Sequence, residues 1–469
     1  MTERPAVPGD GRRGEGTGQG LIYAPWERAF ARIVTPFEEF IHRQTTSGLL
    51  LVLAAACALL LANGPLAGLY HQVLEVPLGL RLGGWTIEKT LHHWVNDGLM
   101  AFFFFVVGME LKREMLVGEL AAPRQAMLPI VAAIGGMIVP ALIYLAVNPG
   151  APADRGWGIP MATDIAFAVG ALSLLAARVP RALITFLVAL AIVDDLGAVL
   201  VIALFYSEQI ALGWLGGAAA VVALLIVCNF AGVRRPVPYF LLAVLLWLAL
   251  LNSGVHATLA GVIGGFTVPA RPRYDPVAFS ARVRRLLTRF DASLRPGEGI
   301  LGNDEMRAVV QALDNGVVAV QAPLQRLEHF WHMPVAFFVI PVFALFNAGI
   351  PLDAGTFLGS MAHPVQLGVI AGLVLGKVAG ITGASWLALR LGIGVLPAGT
   401  RFAQIAGVSL LGGIGFTMSI FIAELAFTAE PKLLIMAKTG ILTASLLSGL
   451  AGFACLWWLG DPRRTSGGH

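Results

Sequence analysis

Charge is what this sequence has least of. Only 13% of its 469 residues are Asp, Glu, Lys or Arg, about half the share of a soluble globular domain, which excludes a water-soluble globule. Cysteine is scarce as well. Cys57, Cys228 and Cys455 each lie inside an apolar run, with no CxxC pair and no His at metal-ligand spacing. That excludes a disulfide scaffold and a thiolate metal centre, and the three read as small packing residues. No nucleophile, base and oxyanion set can be assembled, so the sequence does not read as an enzyme, and no cofactor is called for. The net charge of +4 implies no nucleic-acid partner, because the Lys and Arg residues sit in loops between apolar runs.

What is abundant is apolar surface: 57% of residues are hydrophobic, and 55 are glycine. A spanning helix takes about 20 apolar residues. Twelve runs can be placed, at about 45–62, 91–112, 126–147, 160–176, 182–206, 211–230, 238–251, 255–268, 333–349, 366–389, 403–425 and 433–459. The expected fold is therefore an all-α membrane protein of about 12 transmembrane helices. Alternate loops carry Lys112, Arg113 and Arg124, then Arg178 and Arg181, Arg234 and Arg235, the run from Arg271 to Arg326, and Arg390 and Arg401. The opposite loops carry only Arg81, Lys89, Arg155 and Lys432. By the positive-inside rule both termini are expected in the cytoplasm.

The chain divides into five segments. Residues 1–43 read as a cytoplasmic tail, not a signal peptide, ending in an interfacial helix from Trp26 to Arg43. Residues 44–269 hold spans 1–8, with an external, glycine-turned hairpin at about 70–90. Residues 270–328 form a cytoplasmic insert, in which Arg282, Arg284, Arg285 and Arg289 alternate with Val283, Leu286, Leu287 and Phe290 and a second helical stretch is expected from about Asp304 to Leu327; such a basic stretch rests on anionic membrane lipid or belongs to a specific regulatory domain. Residues 329–460 hold spans 9–12, and 461–469 are a second tail.

Ionisable residues inside spans cost roughly 2.5–3.5 kcal/mol each at a helix centre. Asp97 lies in span 2, Asp164 in span 4, Asp194 and Asp195 in span 5, His256 in span 8 and Lys377 in span 10. Taken additively, the five charged ones would cost on the order of 12–17 kcal/mol, too much for chance retention. Asp194 and Asp195 sit mid-run and, as sequence neighbours, about 100° apart on a helix. Two carboxylates so close titrate as a coupled pair. They offer hard oxygen ligands to a small cation when ionised and hold protons when not, so proton and cation compete for one site. An aspartate pair capping a buried helix break is the plainer alternative. A DDxxD diphosphate motif is excluded by Ala198, and the GxGD context of an intramembrane aspartyl protease is absent.

Lys377 stands among Gly368, Gly372, Gly376 and Gly380, a four-residue repeat that predicts one smooth face for close helix packing. Its expected partner is a buried aspartate or the carbonyl ends of a broken helix. Span 4 opens with Pro160, Ala162, Thr163 and Asp164, and span 11 carries Gly412, Gly413 and Gly415. Interruptions at corresponding places in two halves point to inverted repeats, spans 3–5 and 10–12, whose broken helices form a transport site. Asp164 would then offset positive half-helix N-termini, and Lys377 negative C-termini. Glycine packing without unwinding fits the same pattern.

At these residues the chain resembles the NhaA-type bacterial Na⁺/H⁺ antiporter family. The motifs are WVNDGLMAFFF (94–104), ATDIAFA (162–168), LAIVDDLGA (190–198), SGVHATLAG (253–261), GKVAGI (376–381) and GIGFTMSIFIA (413–423). The resemblance implies an electrogenic, pH-regulated exchanger of the bacterial cytoplasmic (inner) membrane that exports Na⁺ or Li⁺ for H⁺. It implies ion and proton binding at Asp194 and Asp195, with Lys377 as partner of Asp194 and Thr163 and Asp164 at the crossing of extended chains. It places Asp97 on the external ion pathway, and Glu110, Glu114, His256, Glu328, His329 and His332 in the pH response. It also implies a homodimer joined through the external hairpin. A cation channel or another cation/proton exchanger is the rival reading. Met333-Pro334 departs from the family's usual Pro-Trp, as do the long head and insert.

Overall fold

The polypeptide folds into helices that mostly begin where proline or a capping side chain dictates. In the computed structural model, which describes residues 36–82, 85–207, 210–271, 275–294, 300–351 and 363–460, Pro123, Pro236, Pro276, Pro323, Pro364 and Pro431 open helices. Proline belongs there because the first turn has no use for its missing N–H and its φ is already helical.

In chain order the elements are α1 (Pro36–Asn63), α2 (Ala67–Leu74), β1 (Pro77–Leu82), β2 (Trp85–Thr90), α3 (Leu91–Val117), α4 (Pro123–Val147), α5 (Ile165–Ser173), α6 (Arg181–Phe205), α7 (Leu212–Phe230), α8 (Pro236–Leu251), α9 (Leu259–Thr267), α10 (Pro276–Ala292), α11 (Asp304–Val320), α12 (Pro323–Asn347), α13 (Pro364–Arg390), α14 (Phe402–Leu411), α15 (Phe416–Ala426) and α16 (Pro431–Leu459). Residues Ile41–His469 form one unit; of the other, Met1–Phe40, only the start of α1 is described.

Among the described residues eight helices are long and apolar enough to cross a membrane: α3, α4, α6, α7, α12, α13, α16 and the Gln44–Asn63 part of α1. A ninth appears if α14 and α15, bent by 50° across Gly412–Gly415, count as one span. The remaining expected spans are shorter. α8 has 16 residues, while α5 and α9 have nine each, because extended or turn-forming chain at Ala162–Asp164 and at Ser253–Thr258 takes up the rest of each run.

Other boundaries shift for physical reasons. The hairpin is a two-stranded antiparallel sheet with register Pro77↔Thr90 to Leu82↔Trp85. It starts later than expected because residues 67–74, whose apolar Leu69, Tyr70, Val73 and Leu74 recur at helical and not alternating spacing, are helical. The insert contains α10, capped by Asp275 on the N–H groups of Val277 and Ala278, and α11, capped by Asn303 on those of Glu305 and Met306. α12 begins at Pro323 and runs to Asn347, so Leu324, Leu327 and Glu328 lie on a helix long and apolar enough to cross a membrane. The interfacial helix expected at 26–43 falls mostly outside the described residues, as do the 1–35 and 461–469 tails; from Pro36 the backbone runs unbroken into α1.

The glycine repeat of α13 packs on α4. A methyl group on Gly376 would come within 2.7 Å of the Pro140 Cα, one on Gly372 within 2.6 Å of the Pro160 side chain, and one on Gly380 would run into the Gly135 carbonyl. Immediately before Lys377 the helix widens into a π turn, Gly372–Gly376, and a second π turn, Trp94–Leu99, contains Asp97. Such bulges redirect the side chains beyond them and concentrate at functional positions.

Candidate ion site

The site is assembled where two helix breaks meet the middle of a third helix. The extended residues Ala162–Asp164, entering α5, cross Gly412–Gly415, which separates α14 from α15. The Asp164 N–H donates to the Ile414 carbonyl at 2.7 Å, and the Thr163 hydroxyl donates to the Gly412 carbonyl at 2.8 Å. Backbone groups that a continuous helix would have satisfied are thus satisfied across the crossing, as a buried break requires.

Each break leaves uncompensated helix ends, and a charged side chain faces each kind. Asp164 caps two N-termini at once. One carboxylate oxygen accepts from the Phe167 N–H of α5 at 3.0 Å; the other accepts from the Thr417 N–H of α15 at 3.0 Å and from the Thr417 hydroxyl at 2.5 Å. Lys377 meets the opposite polarity: its ammonium donates to the Met161 carbonyl at 2.5 Å, to the Thr163 hydroxyl at 2.9 Å and to the Asp194 carboxylate at 2.8 Å. Negative charge at N-termini and positive charge at carbonyl ends are the stabilising arrangement.

Asp194 and Asp195 lie at the centre of α6 and are both fully buried. Asp194 spends one oxygen on Lys377; its other oxygen, and both oxygens of Asp195, have no hydrogen-bond partner among the described residues. Asp195 is within electrostatic reach of Asp194, Asp164, Glu110 and Lys377. A buried carboxylate with no hydrogen-bond donor, set beside other carboxylates, is costly enough that it must take up a proton or a cation. No group of three or more His, Cys, Asp or Glu among the described residues is arranged to hold a metal ion.

The remaining candidates divide between two ends of α3. Asp97 lies near its start and Glu110 thirteen residues on, roughly 20 Å along the axis. At the Glu110 end, Glu110 faces His332 at 3.3 Å, Arg113 pairs with Glu328 at 2.6 Å and with Glu114 at 3.0 Å, and Glu114 also accepts the Glu119 N–H. A cavity of about 70 Å³ extends from Glu110 and His332 to Asp164 and Thr417. At the other end, Asp97 and His256 line a pocket of about 210 Å³ with Lys89, His92 and Glu424. His256 is thus separated from Glu328 and His332, and His329 is exposed on α12.

Sequence reasoning passes over two charged groups here. Glu424 of α15 and Lys438 of α16 pair at 2.5 Å, each largely buried. The signal was available, since both fall inside predicted spans, though nearer their ends than the aspartates of α6.

The comparisons agree with one another. The sequence model of the family described as Na⁺/H⁺ antiporter 1 matches residues 38–456. The chain is similar to "Na(+)/H(+) antiporter NhaA 1" of Saccharophagus degradans, 58% identical over 94% of this chain and 95% of that protein. It is similar to "Na(+)/H(+) antiporter NhaA" of Sulfurimonas denitrificans, 50% identical over 93% and 98%. The protein of the same name from Acidithiobacillus ferrooxidans is 49% identical over 93% and 99%.

Proposed function

Because the chain belongs to the Na⁺/H⁺ antiporter 1 family, we propose that it exports Na⁺ or Li⁺ across the bacterial inner membrane in electrogenic exchange for H⁺, with Asp194 and Asp195 as the shared ion and proton site. The observation that carries this reading is fully buried Asp195, whose two oxygens have no hydrogen-bond partner among the described residues, beside the salt-bridged Asp194. In this cycle protons entering the pair displace the cation, and Lys377 holds Asp194 while Asp195 changes occupant. Thr163 and Asp164 fix the crossing against which the loaded site shifts its exposure. If more than one proton enters per cation, charge moves each turn. About 100 mV acting on one charge supplies roughly 2.3 kcal/mol, enough to sustain an ion gradient of about 50-fold at about 1.36 kcal/mol per decade.

The finer architecture belongs to the same proposal. Twelve spans form when the Ala153–Met161 turn and α5 serve as span 4, α8 and α9 as spans 7 and 8, and α14 with α15 as span 11. Spans 3–5 and 10–12 are then inverted repeats with both termini cytoplasmic. Glu110, Glu114, Glu328 and His332 form the pH-responsive cluster at the cytoplasmic end, and Asp97 lies on the external ion path. His256 acts from that external pocket, and His329 from the exposed face of α12. Among the described residues the β1–β2 sheet has no third strand, and its outer edges suit it to join a second copy, while the arginines of α10 rest on anionic lipid.

The test is Na⁺-induced proton movement in energised vesicles. The parent protein exchanges, and Asp195→Asn falls to background. Undiminished exchange by Asp195→Asn overturns the reading.

A further inference from the structure

The external pocket ends on a polar chain that ties four helices together. Lys438 of α16 holds Glu424 of α15 at 2.5 Å, and the same Glu424 oxygen faces His92 Nε2 of α3 at 3.7 Å. His92 Nε2 in turn meets Asn347 Oδ1 of α12 at 3.1 Å, and the Asn347 amide donates to Asn96 of α3 at 2.8 Å. None of this chain belongs to the ion site, and Glu424 and Lys438 have no part in the reading above.

Directly beneath lies an apolar layer. Phe421 packs on Phe104 at 5.9 Å and on Phe343 at 6.2 Å between ring centroids, and all three rings are fully buried. Helical spacing links the layer to the chain above it. Glu424 follows Phe421 by three residues and Asn347 follows Phe343 by four, so each of these polar groups and its aromatic partner share one helix face; on α3, Phe104 lies seven residues beyond Asp97, past the π turn. On the far side of Phe421, four residues back, is Thr417, which holds Asp164. The small cavity reaches Asp164 and Thr417 from the Glu110 end, whereas the external pocket includes none of Asp164, Asp194 and Asp195.

We propose that Glu424, gripped by Lys438 and set against His92, which in turn holds Asn347, is a latch that fastens α15 to α3 and through it to α12 and so holds the Phe104/Phe343/Phe421 layer closed between the external pocket and the ion site. Releasing it lets α15 move and opens the pocket onto the site. Glu424 is thus a positioning residue for the external half of the transport cycle, an assignment that rests on the exchange reading for its purpose but not for its test.

The test uses full-length protein in proteoliposomes, with Cys57, Cys228 and Cys455 replaced by alanine and a single cysteine introduced by Met100→Cys. Met100 lies on α3 between Asp97 and Phe104, immediately after the π turn, and is buried. A membrane-impermeant maleimide is applied from the side that carries the hairpin. Glu424→Gln is expected to raise the labelling rate about tenfold, within the usual range of coupling between two states, and Lys438→Gln to act alike. The double variant should add little, and Glu424→Asp should stay near the parent. In the same vesicles Glu424→Gln should lower the Na⁺ concentration for half-maximal exchange on that side only. Unchanged labelling overturns the latch, as does equal acceleration by reagent from the opposite side, which reports general loosening. If Glu424→Gln does not assemble, His92→Leu breaks the same chain from α3 and carries the same expectations. Because labelling needs no ion flux, a failure of exchange with the labelling pattern intact discredits the transport reading and leaves the latch standing.

Discussion

Lys377 and Asp194 show how much a single buried pair can carry. Both are fully buried and 2.8 Å apart, and removing one partner of such a pair strands the other as an uncompensated charge, at about 3–5 kcal/mol. Lys377→Met should therefore lower the thermal midpoint of the detergent-solubilised protein steeply, whereas Lys377→Met with Asp194→Asn should recover part of the loss. A midpoint unchanged in the single variant would show that the pair contributes nothing. These residues were legible in the sequence because a charge inside an apolar run has few tolerable explanations. Which oxygen of which aspartate stays without a partner was not legible, since that depends on Met161, Thr163 and Gly412 converging from breaks some 250 positions apart in the chain. Glu424 and Lys438 carried the same signal and were missed because they lie closer to span ends, where charge is commonplace.

At the scale of elements, periodicity announces a contact more readily than it announces a break. The Gly368, Gly372, Gly376, Gly380 repeat predicts a close helix pair, and the structure supplies α4 as its partner. Gly376→Ala would push a methyl group to 2.7 Å from the Pro140 Cα, a backbone atom that cannot swing aside. Overpacking of this sort costs about 1–3 kcal/mol, so the variant should melt earlier, and an unshifted melting curve would contradict the packing described. The π turns before Lys377 and around Asp97 leave no mark in hydrophobic pattern, because one extra residue per turn preserves composition and merely rotates the residues beyond it. The short α5 and α9 were likewise read as full spans, since extended chain buried among helices is as apolar as the helices themselves.

Across the whole molecule, apolar content and the charge bias of the loops carried the membrane class without any tertiary information. Long-range ties were invisible to that reading. One of them makes a prediction about alkaline stability. The Tyr70 hydroxyl of α2 donates to the Leu345 carbonyl of α12 at 2.7 Å, and burial pushes its ionisation up from 10.0 to about 12. The neutral phenol is the form the fold prefers, so its contribution is complete below about pH 10 and disappears as pH rises through about 12. Melting curves across that interval should fall more steeply for the parent than for Tyr70→Phe, which already lacks the hydrogen bond, worth about 1 kcal/mol, at neutral pH. Parallel curves would remove Tyr70 from the account.

Competition between H⁺ and Na⁺ for the α6 carboxylates is tested most directly by adding Na⁺ to the purified protein in weakly buffered detergent solution and following the pH. Protons should be released as Na⁺ binds, the Na⁺ needed should rise as the starting pH falls, and Asp195→Asn should release none. Sodium binding with no proton release, or release undiminished in Asp195→Asn, would contradict it.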